Sequence, residues 1–155
     1  MITSLEACKT LCELSNWRIS NLRSQKVLYF AHMYLLGEVG EPLIRESFEA
    51  WDYGPVEPNL YRHVKIFGKE SIEKPVFYGM KGAEPNTHEY DMLEILYKAT
   101  RDVHPGDLIN MTHWEKGAWY EYYEPGSNIR IPNERILVEY HDRERLRGEK
   151  QKDKN

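Results

Sequence analysis

The sequence predicts a mainly α fold: a single compact helical domain with small β elements, built around a buried central helix at about residues 21–36. Three observations carry that prediction. Val27 to Leu36 is apolar on nearly every side, interrupted only by His32, as a helix buried all round requires. Ser and Thr caps followed by apolar residues at helical spacing recur along the chain. Strand-like alternation is confined to short stretches.

The elements follow in order. Thr3-Ser4-Leu5-Glu6 fits a capping box, in which the Thr3 hydroxyl accepts from the Glu6 amide and the Glu6 carboxylate reaches back. Leu5, Cys8, Leu11 and Cys12 then share one helical face. Ser20 is the expected N-cap of the central helix and Gly37 its expected terminator. Phe48, Ala50 and Asp52 alternate with Glu49, Trp51 and Tyr53 as a weak strand, which Gly54-Pro55 must end. Pro58 suits the first turn of a helix because its missing N–H has no partner there; Leu60, Tyr61, Val64 and Phe67 follow, and Gly68 closes.

Lys74 to Gly79 reads as a short strand and is followed by a polar loop. Asn86-Thr87-His88-Glu89 is a capping-box candidate ahead of Leu93, Leu96, Tyr97, Thr100 and Val103. His104-Pro105-Gly106 separates that helix from a short one at about Asp107 to His113. Residues 114–128 read as an aromatic-rich loop, 129–131 as a strand, and Pro132 with Glu134 as the start of a last helix through Ile136, Leu137 and Tyr140. Residues 1–141 are expected to form the domain. Residues 142–155 are charged and poor in apolar side chains, and are expected to fray or be disordered.

Composition narrows the function classes. The 155 residues are 41% apolar and 30% charged, which suits one soluble globular domain. A net charge of -4 supplies no general attraction for phosphate backbones, so nucleic acid is not the expected partner class. No apolar run reaches the roughly 18–20 residues that span a bilayer, and the acidic, periodic N-terminus is unlike a signal segment; the expected location is cytoplasmic. The two cysteines, Cys8 and Cys12, read as reduced thiols filling the core, with no further ligands nearby to suggest a metal.

Catalytic chemistry has little sequence support. None of the six histidines falls in a recognised ligand spacing, and no nucleophile elbow, P-loop or dinucleotide fingerprint occurs. His32, on an apolar helix, reads as a hydrogen-bonded core residue. His113-Trp114-Glu115 comes nearest to a reactive cluster, and a small enzyme using His113 and Glu115 is the alternative to a non-enzymatic protein. No cofactor is implied.

Aromatic residues are the unusual feature, with four Trp and eleven Tyr. Trp51, Tyr53, Trp114, Trp119, Tyr120, Tyr122 and Tyr123 lie outside strongly periodic segments. Tyr and Trp combine apolar area with a polar tip and little rotamer entropy, so such a cluster favours protein binding over catalysis.

Three runs together resemble one family. Residues 20–31, SNLRSQKVLYFA, look like the LxxLKLQKLLYFA helix of the Panacea domain, the antitoxin domain of SocA-like proteins. FEAWDYGPV, residues 48–56, with Pro58 and Tyr61, is similar to its EAWxYGPVxPxxY signature. Leu108 to His113 with Trp119, then Ile131, Pro132 and Ile136, resembles its LxxxTHxxxxW…I region. Ser24 stands at a usually apolar position, and Glu57 where Val or Ile is common.

The resemblance implies a compact, mainly helical antitoxin, often carried by phages and prophages, that neutralises the toxin of a neighbouring gene by protein contact. Some members of that family inhibit directly, whereas others hand the toxin to a protease. The contact candidates are Trp51, Tyr53, Glu57, Trp114, Trp119 and Tyr120, with Glu115 and Glu121 able to steer toward a basic toxin. A third reading, a DNA-binding repressor of its own operon, would rest on the tail from Arg143 to Lys154.

Overall fold

The computed structural model describes residues 1–154. Seven α-helices and three short strands follow in chain order: α1 Ser4–Leu14, α2 Asn21–Val39, β1 Glu49–Trp51, β2 Gly54–Val56, α3 Pro58–Val64, α4 His88–Thr100, α5 Pro105–Thr112, α6 Ala118–Tyr122, β3 Ile129–Arg130 and α7 Asn133–Asp153. The fold is mainly α with small β elements, as the sequence predicts.

Helix α2 is the axis on which α1, α4, α5, α7 and β2 pack. Ser20 caps it by accepting from the Arg23 amide at 3.2 Å, and every residue from Gln25 to Met33 is buried. Tyr29 and Phe48 meet edge to face at 5.2 Å in its shadow. His32 is a core histidine: its Nε2 is 2.9 Å from Asn133 Oδ1 and its Nδ1 accepts from the Ile44 amide. Burial holds its imidazole down to a pKa of about 4.

Gly37 does not terminate α2. The helix runs on to Val39 and stops at Gly40, whose φ of 85° only glycine adopts freely. Gly37 instead gives room to the Tyr140 ring of α7, which occupies the space a side chain there would need.

The capping box at Thr3 forms as expected. At α4 the cap is Thr87, which accepts from the Tyr90 amide, while Asn86 takes a left-handed φ of 64°. Cys8 and Cys12 are free and buried, and the hydrogen bond between the two thiols together with burial pushes the Cys12 thiol pKa up.

Two expectations about local structure fail. Lys74–Phe77 is a 3-10 turn, not a strand: Pro75 offers no ladder donor, and Phe77 is buried against the rings of Trp17 and His63. The expected loop at 114–128 contains α6, anchored because the Ala118 amide donates to the buried Glu139 carboxylate at 2.9 Å.

The three strands form one antiparallel sheet in the order β2-β1-β3, with Trp51 opposite Gly54 and Ala50 opposite Ile129. Pro55 is tolerated because β2 is an edge strand.

Beyond His141, where fraying was expected, α7 continues as a helix to Asp153. Its charges are spaced to pair along the helix: Arg143 with Glu139, Arg147 with Glu144, and Arg145 with Asp142 and Glu149. The same pairs weaken the basic field a DNA-binding tail would need. Among the described residues no helix is long and apolar enough to cross a membrane.

Candidate functional site

The β1–β2 hairpin and its supports bring all three motif regions together. Gln25, from α2, clamps the peptide at Glu57 from both sides: its Oε1 accepts from the Glu57 amide at 2.8 Å and its Nε2 donates to the Glu57 carbonyl at 3.1 Å. One residue on, the Lys26 amine donates to the Pro55 carbonyl at 3.0 Å. Gly54 lies directly over this amine. A Cβ there would stand 2.6 Å from Thr112 Oγ1 and 2.8 Å from Lys26 Cε, and the backbone φ of 112° independently demands glycine.

The third region braces the other side. Trp119, from α6, donates its indole N–H to the Trp51 carbonyl at 2.7 Å. His113 lies flat on Trp119, with centroids 3.6 Å apart and planes 4° apart, and Tyr123 stacks on Trp119 at 4.5 Å. Tyr123 then donates to the Asp52 carboxylate at 2.6 Å. That bond, with the negative charge beside it, raises the Tyr123 pKa.

Electrostatically the site is unusual. Lys26 is fully enclosed, and among the described residues no carboxylate pairs with its amine within 4.0 Å. Burial lowers its pKa to about 7. His113 has its Nε2 buried without a hydrogen-bond partner among the described residues, and its pKa is lowered by burial and by the charge of Lys26. A buried amine whose pKa burial alone lowers, and an imidazole that feels that amine's charge, thus sit under the hairpin.

The sequence-predicted contact residues fall into distinct environments. Tyr53, at the hairpin turn, and Tyr120, on α6, are 67% and 57% exposed. Trp51 is half-buried against Tyr61 at 4.8 Å, and Trp119 is buried. Trp114 is half-buried with the Arg143 guanidinium 4.7 Å over its ring. Glu115 and Glu121 are exposed, the latter paired with Arg135.

Glu57 does not face solvent. It is buried as the N-cap of α3, accepting from the Asn59 and Leu60 amides at 2.6 and 3.1 Å and from the Ser4 hydroxyl. Burial raises its carboxyl pKa, and these bonds oppose the rise. A carboxylate stands at this position because the helix start needs an acceptor. That removes Glu57 from the contact candidates.

Nor does the structure join the proposed reactive pair: no hydrogen bond links His113 to Glu115, and the ring partner of His113 is Trp119. Gln25 and Lys26 belong to the site although sequence reasoning did not single them out; Gly54, noted only as a strand end, and Tyr123, noted only within the aromatic cluster, belong to it too. Lys26 had a signal: a lone cation directly before ten almost wholly apolar residues. Surface hollows of about 370, 580 and 710 Å³ lie elsewhere, the first beside Trp114 and Arg143 and the other two flanking Lys9 and Glu13. Among the described residues no group of three or more His, Cys, Asp or Glu side chains could hold a metal ion.

A helical scaffold that braces one aromatic hairpin from three directions defines the class: a small domain organised around a displayed turn. The chain belongs to the antitoxin SocA-like, Panacea domain family, whose profile matches residues 25–120. It is 32% identical over 120 residues to Antitoxin SocA of Caulobacter vibrioides (strain NA1000 / CB15N). That match takes in 72% of this chain and 64% of the relative, so the chain spans just under two thirds of the relative's length. No solved structure gives a significant match.

Proposed function

We propose that this chain is the antitoxin of a toxin–antitoxin pair and neutralises the toxin of a neighbouring gene, in the cytoplasm, by direct protein contact. The observation that carries the reading is the convergence of the three motif regions on one hairpin whose turn presents Asp52 and the exposed Tyr53. A turn held by Gln25, Lys26, Trp119 and Tyr123 is preorganised, which lowers the entropy cost of docking. Tyr53 and Tyr120 supply anchoring rings, and Glu115 and Glu121 favour a toxin with a basic face.

Family membership and the name of the Caulobacter relative support the antitoxin role. The test is co-expression with the neighbouring gene, followed by mixing the two purified proteins. Growth rescue and a stable complex that inhibits the toxin without any protease are expected. Rescue that requires a host protease would make the chain a delivery adaptor, and failure of both rescue and binding would refute the reading.

A further inference from the structure

We propose that the open hollow between α5 and the C-terminal half of α7 is a docking site for an acidic peptide segment of a partner protein. One apolar side chain of the segment fills the hollow, and its flanking carboxylates meet Arg143, Arg147 and Lys150. The inference goes beyond the antitoxin reading and does not rest on it.

The hollow has a volume of about 370 Å³, room for one large side chain and the backbone beside it. Met111, Trp114 and Leu146 give it an apolar lining, and Met111 is 39% exposed. Its charged lining is of one sign: Arg143, Arg147 and Lys150 border it, and among the described residues no acidic side chain does. In a chain of net charge -4 this is a local reversal of sign.

Arg143 is fixed before any partner arrives. Its Nε donates to Glu139 at 2.7 Å and its Nη2 to the Met111 carbonyl at 2.6 Å, while the guanidinium lies 4.7 Å from the Trp114 ring and 5.5 Å from that of Phe30. Glu139 offsets its charge, but three of its five N–H groups have no partner among the described residues. Arg147 makes one exposed bond to Glu144, of a kind that contributes little and exchanges readily. Lys150 joins no ion pair among the described residues. Carboxylates are the acceptors that match such free donors.

An acidic peptide fits this place better than nucleic acid does. A phosphate backbone needs a run of cations, whereas Asp142, Glu144 and Glu149 stand on the same helix. Arg143 already covers a face of Trp114, the ring on which a base would stack. The three cations also lie beyond residues 25–120, which the family profile matches, so the site depends on this chain's own last helix.

The test titrates the full chain with a short synthetic peptide, a central leucine flanked by glutamates, and follows the amide and indole resonances by NMR. Saturable shifts at Met111, Trp114 and Lys150 are expected, with a Kd of about 0.1–1 mM that rises with added salt. Replacing the leucine by alanine should weaken binding about tenfold, and replacing the glutamates by lysines should abolish it. Arg147→Glu with Lys150→Glu, both at exposed positions, should weaken binding about tenfold or more without lowering the melting temperature appreciably. Met111→Ser is the second variant and should weaken it through the apolar lining alone. No saturable shift, or a Kd unchanged in both variants, would overturn the site. Tighter binding of an oligothymidylate at the same resonances would overturn the peptide as its occupant.

Discussion

His113 lies face to face on Trp119, its ring 3.6 Å from the indole and nearly parallel to it, while the same indole donates to the Trp51 carbonyl. A residue that looks like a catalytic base in the sequence is therefore one layer of a stack that supports the hairpin. Different parts of this assembly serve stability and binding, and substitutions separate them.

Tyr53→Ala and Tyr120→Ala remove exposed rings. Each should leave the unfolding midpoint nearly unchanged, within about 0.5 kcal/mol. Each should also weaken the toxin complex about tenfold or more, as loss of an aromatic anchor does. Calorimetric titration alongside thermal melts checks both halves.

Gly54→Ala should be destabilising by about 2–4 kcal/mol, because the new Cβ meets Thr112 Oγ1 and Lys26 Cε while the backbone sits at a φ of 112°. Urea unfolding measures the loss. Gly126→Ala, where the φ is similarly positive but the space is open, should cost less and calibrates the backbone share.

Lys26→Met should raise stability near pH 6 by on the order of 1–2 kcal/mol, since it removes an unpaired buried amine and forfeits only one hydrogen bond to Pro55. The folded amine titrates near 7, whereas the unfolded one titrates near about 10.4. Below pH 7 both states carry the proton and the full cost of burial is felt. Between those values the unfolded chain binds more protons, so the native protein gains stability as pH rises. The advantage of the variant should accordingly shrink from pH 7 toward 10, as paired thermal melts across that range would show.

Glu139 is buried, accepting from Tyr29 and Ala118 on Oε1 and from Arg143 on Oε2. Glu139→Ala should cost about 3–5 kcal/mol by stranding three donors. Glu139→Gln can keep the two bonds to Oε1 and sets an amide against Arg143, so its loss should be smaller, about 1–3 kcal/mol. Denaturant titration of the two variants gives the comparison.

What the sequence determined by itself is whatever closes within a few residues. The Thr3 capping box, the Ser20 cap, the all-round apolar character of α2 and the first-turn position of Pro58 are local, and each stands where the residue types require. The signature turn and its family were legible for the same reason. Contacts between distant segments decided the rest. Gly37 looked like a helix stop, but Tyr140 makes it a packing notch; Glu57 looked like a surface acid, but α3 and Ser4 make it a buried cap. Residues 118–122 form a helix because Glu139 satisfies its first amide, and Lys26 finds Pro55 only once α2 and the hairpin have packed. A side chain's type sets what it can bond to, but only the folded chain sets which distant groups come within reach and which are shielded from water.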